Sequence, residues 1–431
     1  MTVSRPLAVA AAALGLALAA CGGGSDKKAP PKKTPAKTPA ASGAMQRAEK
    51  PLKGLAVGIT EPNANFVWPP GSKQVPPEFE RWQKELDAIR PGFYRVLLDW
   101  PSLEPQPGKP NFEIPQTGCL RVIPPCASFK GLREQLEALA AQQKRGGWQA
   151  LMVIAGTPDW AARPASGCER PKTMPRSRAP RKDQLAAYER FIGEVMKLAD
   201  DVGADLRYWS PWNEPNHPYS ISPQRVRCSA DAKAVAPARY AELAGAMREA
   251  LDKAPGDQEM VLGEFAGLPK SRPFTSGIRE FIGALPKDLV CSATVWTQHG
   301  YIGGVNPVDD VEKGLAKFSC PQTHAIWMTE TGVGAAGLGR KRSASERKQR
   351  GTCEALHRRL VHWYEDPRVT AAFQYTFRED DVFPVGLVTT DLTAAYPSLD
   401  EWKAWGQAKR PRPDAPPPPE SCGPAAPPGA Q

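Results

Sequence analysis

The fold is decided by residues 150–212, which contain a strand pattern, a helix pattern and a second strand pattern in that order. The stretch opens with ALMVIA at 150–155, continues through DQLAAYERFIGEVMKLADDV at 183–202 and closes with LRYWSPW at 206–212. In the middle segment, apolar side chains recur at three- and four-residue steps, which predicts an amphipathic helix. The flanking runs are short and rich in apolar and aromatic residues, which indicates buried strands. A strand, a crossover helix and a second strand form the unit of a parallel sheet.

Eight strand patterns of this kind occur along the chain. They are 55–59, 93–98, 150–155, 206–212, 260–263, 293–298, 325–329 and 371–376. Helical patterns lie between them, for example at 78–89, 131–144 and 344–363. No glycine-rich GxGxxG follows the first strand, so the phosphate-binding device of a doubly wound dinucleotide-binding sheet is missing. We therefore predict an α/β protein with a single catalytic domain, a (β/α)8 TIM barrel with long loops after its third and fourth strands.

The composition excludes several classes of protein. The chain has 431 residues, of which 41% are hydrophobic and 24% charged, so it can form a large core. No internal stretch approaches the ~18 uninterrupted apolar residues of a membrane-spanning helix. The net charge is +10, but residues 1–50 alone contain eight Lys and Arg against two acids. No basic helix or RNA-binding motif accompanies this charge, so we expect no nucleic-acid partner.

The two ends of the chain differ in composition from its centre. The run Leu18-Ala19-Ala20-Cys21-Gly22 follows an apolar segment and resembles the bacterial lipobox, in which the cysteine is lipidated. We expect an exported protein anchored by a lipid at the cell membrane or envelope surface. The predicted organisation is a signal peptide at 1–20, a disordered Lys/Pro/Ala tether at 21–50, the barrel at 51–410 and a Pro-rich tail at 411–431.

Eight cysteines remain besides Cys21, and an even number in an exported chain suggests disulfides. Spacing alone does not decide the pairing. No CxxC or His-rich spacing occurs, so we expect no structural zinc. The predicted topology favours, as a hypothesis, four bridges: Cys119–Cys126 within one loop, Cys168–Cys228 between neighbouring loops, Cys291–Cys320 at the opposite face, and Cys353–Cys422 to the tail.

Two glutamates stand where predicted strands end. Trp212-Asn213-Glu214-Pro215-Asn216 closes the fourth strand, and Thr329-Glu330-Thr331-Gly332 closes the seventh. The loops that follow the strands of a barrel share one face, so these carboxylates can converge. Paired carboxylates are the groups that glycoside hydrolysis needs, one to protonate the leaving oxygen and one to attack the anomeric carbon or activate water. A nearby like charge raises the pKa of one carboxyl, which would keep it protonated.

With these two motifs, residues 55–405 resemble the clan A glycoside hydrolases, barrel enzymes with catalytic glutamates at the ends of strands four and seven. The aromatic eighth strand adds to the resemblance, and the turn at 157–160 makes family 39 the most similar, with family 5 next. The resemblance implies a retaining double displacement with Glu214 as acid/base and Glu330 as nucleophile. It places Tyr375 or Phe377 where the family usually has a tryptophan.

The resemblance and the strand ends together define a set of substrate-binding candidates. Asn213 would bind the sugar 2-hydroxyl, Tyr301 would bond to the nucleophile, and Arg95 would keep the nucleophile ionised. The full set of candidates is Asn213, Arg95, His299, Tyr301, Trp100, Trp160 and Trp296, with the tryptophans expected to stack on sugar rings. No cofactor or metal is expected, and the predicted partners are a carbohydrate substrate and the membrane, for a monomeric protein.

Further possibilities follow from the sequence. The loop at 161–182 contains seven Lys and Arg against one acid, which suggests either an acidic glycan substrate or a solvated loop. A transglycosylase would use the same intermediate with a sugar acceptor. A non-catalytic glycan-binding lipoprotein would use the same barrel without turnover.

Overall fold

The computed structural model describes residues 54–120, 122–301, 306–334, 341–380 and 383–423. Among them, nine strands form one sheet in which all paired neighbours are parallel. The strands are β1 (Ala56–Thr60), β2 (Phe93–Asp99), β3 (Gln149–Ala155), β4 (Tyr208–Ser210), β5 (Glu259–Met260), β6 (Leu262–Phe265), β7 (Val295–His299), β8 (Ala325–Thr331) and β9 (Val369–Tyr375).

The sheet curls into a barrel. Its strand order runs β5-β4-β3-β2-β1-β9-β8-β7-β6, so β5 and β6 lie at its two edges. Only Val261 separates these two strands along the chain, and the edges therefore meet at that residue. Together β5 and β6 make the fifth of eight strand positions, which confirms the predicted (β/α)8 TIM barrel. All eight predicted strand runs overlap these strands.

Helices surround the sheet, and the four helices predicted above are present. The α-helices are α1 (Ala64–Val67), α2 (Pro77–Ala88), α3 (Trp100–Leu103), α4 (Gly131–Gln143), α5 (Leu185–Val202), α6 (Ala236–Lys253), α7 (Ile278–Gly283), α8 (Lys287–Val290), α9 (Val308–Leu315), α10 (Glu346–Glu365) and α11 (Pro397–Gln407). Apolar side chains on α5 repeat on one face and are buried, as its period predicts. No helix within the described ranges is long and apolar enough to cross a membrane.

The interior of the barrel is filled by side chains that alternate with those facing the helices. The buried interior group is Leu151, Val153, Val261, Val295, Trp327, Ala371 and Phe373. Trp327 lies here beside Phe93, with ring centroids 4.8 Å apart. Gly58 leaves room for Phe373, since a Cβ there would lie 2.3 Å from its ring. Because this layer fills the inside, the barrel offers a site at its carboxyl-end face and no through channel.

All four hypothesised disulfides are present: Cys119–Cys126, Cys168–Cys228, Cys291–Cys320 and Cys353–Cys422. The last one fixes residues 411–423, which we call the strap, against the outside of α10. The Arg412 guanidinium stacks over the rings of Tyr364 and Trp405 at 5.4 and 5.1 Å. The predicted signal, Cys21, the tether and residues 424–431 lie outside the described residues.

Candidate active site

The carboxyl ends of β4 and β6 bring two glutamates together. Glu214 follows β4, and Glu264 lies within β6 near its end. The Glu214 amide donates a hydrogen bond of 2.8 Å to the Glu264 carbonyl. Both residues have positive φ, +46° for Glu214 and +52° for Glu264. Such a conformation costs a residue with a Cβ about 1–2 kcal/mol, so the surrounding contacts must hold both side chains in place.

Arg95 on β2 joins three of the groups at this face. One of its terminal nitrogens, Nη2, lies 2.6 Å from Glu264 Oε2 and 2.9 Å from Glu330 Oε1. The same nitrogen donates to Asn213 Oδ1 at 2.8 Å. The side chains of Arg95 and Glu264 are wholly buried, whereas that of Glu330 keeps 8% of its surface exposed. Arg95 therefore holds Glu330 and Asn213 from below, with Glu264 as its buried counter-ion.

His299 at the end of β7 lies between three carboxylates. Its Nδ1 is 3.0 Å from Glu214 Oε1 and 3.4 Å from Glu330 Oε2, and its Nε2 is 3.2 Å from Glu264 Oε2. Burial alone would lower the pKa of His299, but these carboxylates outweigh burial and raise it to about 10. The imidazole is thus held as a cation at neutral pH, with both nitrogens donating to carboxylates.

His299 in turn governs Glu214. Burial would raise the pKa of the Glu214 carboxyl, but the hydrogen bond and charge of His299 hold that pKa below its usual range. The sequence had suggested that a nearby carboxylate would keep one glutamate protonated. In the structure the raised pKa of His299 and the lowered pKa of Glu214 favour the proton on the imidazole, within hydrogen-bond distance of Glu214. This difference arises because the sequence does not show that the imidazolium of His299 lies within hydrogen-bond distance of Glu214.

Tyrosines complete the surroundings of Glu330. The Tyr301 hydroxyl donates to Glu330 Oε2 at 2.6 Å. Its ring contacts Phe383 edge-on at 4.7 Å, and Tyr375 lies edge-on to Tyr301 at 6.4 Å. Of the two aromatics proposed for the usual tryptophan position, Tyr375 flanks this site, whereas Phe377 is fully buried.

Five residues form what we call the central cluster: Arg95, Glu214, Glu264, His299 and Glu330. Three carboxylates face two cations, so the cluster carries one net negative charge when His299 is protonated. Ligand atoms of Glu214, His299 and Glu330 all lie within 4.8 Å of one another. Because His299 and Arg95 already supply positive charge, the cluster needs no metal ion to hold its carboxylates together.

For two of the three candidate tryptophans, the prediction that they stack on sugar rings is wrong. Trp100 is fully buried, its Nε1 donates to Glu104 at 2.8 Å, and its ring stacks on Phe191. Trp296 is also fully buried, because strand alternation directs it toward the helices, where its ring lies nearly parallel to Phe265. Neither has a face free for a sugar. Trp160 alone among the three is only partly buried.

Sequence reasoning missed Glu264. Its signal was present, since a carboxylate directly follows the predicted strand at 260–263 and strand ends carry the chemistry of a barrel. The apolar run that indicates the strand ends at Gly263, one residue before this carboxylate. A second omission is Asn216, whose side chain bonds to the backbone of Ala266 and Ser276 and so ties the loop after β4 to the loop after β6.

The charge of the loop at 161–182 is mostly neutralised by neighbouring acids. Five of its seven cations form ion pairs: Arg163 and Lys182 with Glu242, Arg176 with Asp99, Arg178 with Glu169, and Arg181 with Asp183. After β8, Arg342 pairs with Glu379. The broad positive surface inferred from composition is therefore reduced to a few unpaired groups.

Comparison with known proteins identifies the same barrel in solved structures. A conserved exported protein from Bacteroides fragilis matches at a TM-score of 0.53 with 13% identity, over 84% of this chain and 80% of that chain. A family 39 glycoside hydrolase from Bacteroides cellulosilyticus matches at 0.50 with 17% identity, over 82% and 64%. A family 30 endoxylanase from Clostridium papyrosolvens matches at 0.51 with 13% identity, over 84% and 74%. No protein-family model and no curated protein matches the chain. These likenesses show a shared fold.

Proposed function

We propose that this protein is a retaining glycoside hydrolase that cleaves β-glycosidic bonds of an oligo- or polysaccharide. The observation that carries the proposal is the approach of Glu214 and Glu330, since one carboxylate oxygen of Glu214 lies within 4.8 Å of one carboxylate oxygen of Glu330. Retaining glycosidases hold their two carboxyl groups ~5–5.5 Å apart, whereas inverting enzymes leave ~6.5–9.5 Å for a water molecule. The barrel shared with glycoside hydrolases of families 39 and 30 supports the same class.

In this mechanism Glu330 attacks the anomeric carbon as the bond to the leaving oxygen breaks. Arg95 and the Tyr301 hydroxyl each contact the Glu330 carboxylate and hold it in position. The leaving oxygen takes a proton that comes from the imidazolium of His299 and passes through the Glu214 carboxylate, whose Oε1 lies 3.0 Å from His299 Nδ1. Water then attacks the glycosyl ester, its proton passes to the Glu214–His299 pair, and Glu330 leaves. With a neutral sugar, the net charge of the central cluster stays constant throughout.

The test is hydrolysis of a panel of aryl β-glycosides by the purified chain, compared with Glu330→Gln and Glu214→Gln. We expect a loss of about 10³-fold in each variant. For Glu214→Gln, the loss should shrink as the leaving phenol becomes more acidic, because such a group needs less protonation. Glu113→Gln, at an exposed position outside the site, is the matched control.

Two readouts separate this mechanism from its rivals. Product analysis by NMR should show the β-anomer first, and azide should rescue Glu214→Ala with formation of a β-glycosyl azide. An α-anomer as first product would exclude retention. Tight glycan binding that both variants keep, without turnover by the wild type, would support a binding protein instead.

We also propose export and lipid anchoring through Cys21. The lipobox-like sequence and the four disulfides, which form in oxidising compartments, support this location. Incorporation of a labelled fatty acid by the wild type, and its loss in Cys21→Ser, tests the anchor directly.

A further inference from the structure

Arg170 differs from the other cations of its loop. Its guanidinium lies against two aromatic rings, 5.4 Å from the centroid of Tyr219 and 5.5 Å from that of Phe274. Its Nη1 donates to the Tyr219 hydroxyl at 3.4 Å. Across the described ranges, no carboxylate lies within ion-pair distance of it. A partly buried guanidinium held by rings and a hydroxyl keeps its charge available to an external anion.

The acid closest in sequence is already engaged. Glu169 receives three hydrogen bonds of 2.8–3.1 Å from Arg178, and the Ser166 amide donates to it as well. The Cys168–Cys228 disulfide fixes this part of the loop against the loop after β4. Glu169 thus pairs with Arg178, and Arg170 is held in place by its aromatic and hydroxyl contacts.

Arg170 is connected to Glu214 through a short turn. The His217 amide donates to the Glu214 carbonyl at 2.9 Å, and the His217 ring lies 5.1 Å from the ring of Tyr219. Burial lowers the pKa of His217, the charge of Glu214 opposes this and that of Arg170 adds to it, so this imidazole is neutral at pH 7 and does not compete with Arg170 for an anion. Tyr219 is 48% exposed to solvent.

We propose that Arg170, Tyr219 and Phe274 form a leaving-group subsite for a sugar that bears a carboxylate. This inference rests on the proposed glycosidase function, since Glu214 would protonate the oxygen that joins this sugar to the cleaved unit. The Arg170 fork matches a carboxylate in two parallel hydrogen bonds. The exposed Tyr219 ring would pack against the sugar ring. The substrate class is therefore a glycan with a uronate on the leaving side of the cleaved bond.

The first experiment compares two aryl glycosides of the same accepted sugar, with 4-carboxyphenyl and 4-carbamoylphenyl leaving groups. The ratio of their kcat/KM values is measured for the wild type and for Arg170→Gln. We expect the variant to lower this ratio about tenfold, because it removes a charge-assisted contact to the carboxylate alone. Arg170→Lys should lower it partly, since lysine keeps the charge and loses the fork.

Arg227→Gln is the matched control, because Arg227 is exposed on the loop that Cys228 anchors and its loss removes the same charge. Its ratio should equal that of the wild type. An unchanged ratio in Arg170→Gln, or an equal fall in Arg227→Gln, would overturn the subsite.

The second experiment does not depend on turnover. The affinity of Glu330→Gln for a β-linked oligouronate is compared with its affinity for the same oligosaccharide after carboxyl reduction, with and without Arg170→Gln. We expect a preference for the acidic sugar that Arg170→Gln abolishes. Equal affinities would reject the subsite, whereas a preference without any wild-type hydrolysis would keep the subsite and reject the glycosidase. A sulfated neutral oligosaccharide that binds as tightly as the uronate would reject carboxylate specificity.

Discussion

Glu264 has a different task from the other two glutamates of the central cluster. Its side chain is wholly buried, so it cannot touch a substrate, whereas those of Glu214 and Glu330 keep 19% and 8% of their surface exposed. Burial opposes its ionisation, yet Arg95 and His299 lower its pKa to about 2. Glu264 is therefore a permanent anion that orients Arg95 and keeps His299 protonated.

The substitution Glu264→Gln tests this positioning role. Removing the charge takes away one of the carboxylates that raise the pKa of His299, so the alkaline limb of the activity profile should move to lower pH. We expect kcat/KM at the optimum to fall about 10²-fold as well. The measurement is kcat/KM from pH 5 to about 10. A fall with an unshifted alkaline limb would mean that Glu264 serves only to support the fold.

At the scale of elements, the strands were the most predictable part of the chain. Each buried strand of a parallel barrel is a short apolar run, and such runs stand out between amphipathic helices. The sequence did not reveal that Val261 interrupts the fifth strand, because Met260, Val261 and Leu262 form one continuous apolar run. It also misplaced Trp100 and Trp296, since being near a strand end does not decide which face a side chain occupies.

The ion pairs made by the loop cations were outside the reach of sequence reasoning. The cations of the loop at 161–182 meet acids such as Asp99 and Glu242, which belong to other elements. Only the folded arrangement shows which charges remain. The glutamates of the site were accessible from sequence because topology alone places strand ends on one face, whereas the shared proton of Glu214 and His299 depends on distances of a few ångströms.

The strap is an element whose contribution can be measured by truncation. Ending the chain after residue 410 removes the Arg412 stacking and the Cys353–Cys422 bridge. Ending it after residue 423 keeps both and serves as the control. Loss of the bridge alone should cost about 2–4 kcal/mol of unfolding free energy. Thermal or denaturant unfolding should show the shorter form less stable, and equal midpoints for the two forms would refute a stabilising strap.

At the scale of the whole molecule, the central cluster makes stability depend on pH. The pKa of His299 is raised from 6.5 to about 10, so its contribution is complete below pH 6.5 and lost as pH rises through 10. The pKa of Glu264 is lowered from 4.5 to about 2, so its contribution is complete above pH 4.5 and lost as pH falls through 2.

The variant His299→Gln isolates the alkaline part of this dependence. The difference in unfolding free energy between wild type and variant should be largest below pH 6.5 and should shrink steadily toward pH 10. Denaturant unfolding at several pH values measures it. A difference that stays constant with pH would mean that folding does not shift the pKa of His299.

The strap also determines where the chain leaves the barrel. Arg410 contacts the carbonyl of Leu55 at the amino end of β1, whereas Arg350, near the start of α10, bonds to Gly423. Between those points the strap runs about 20 Å along α10, from the amino-end face of the barrel to the carboxyl-end face that carries the carboxylates. A molecule immobilised through the segment preceding residue 54 would thus present its active-site face to the solution. A molecule immobilised beyond residue 423 would hold that face beside the solid support, where a long polymer has less room to approach.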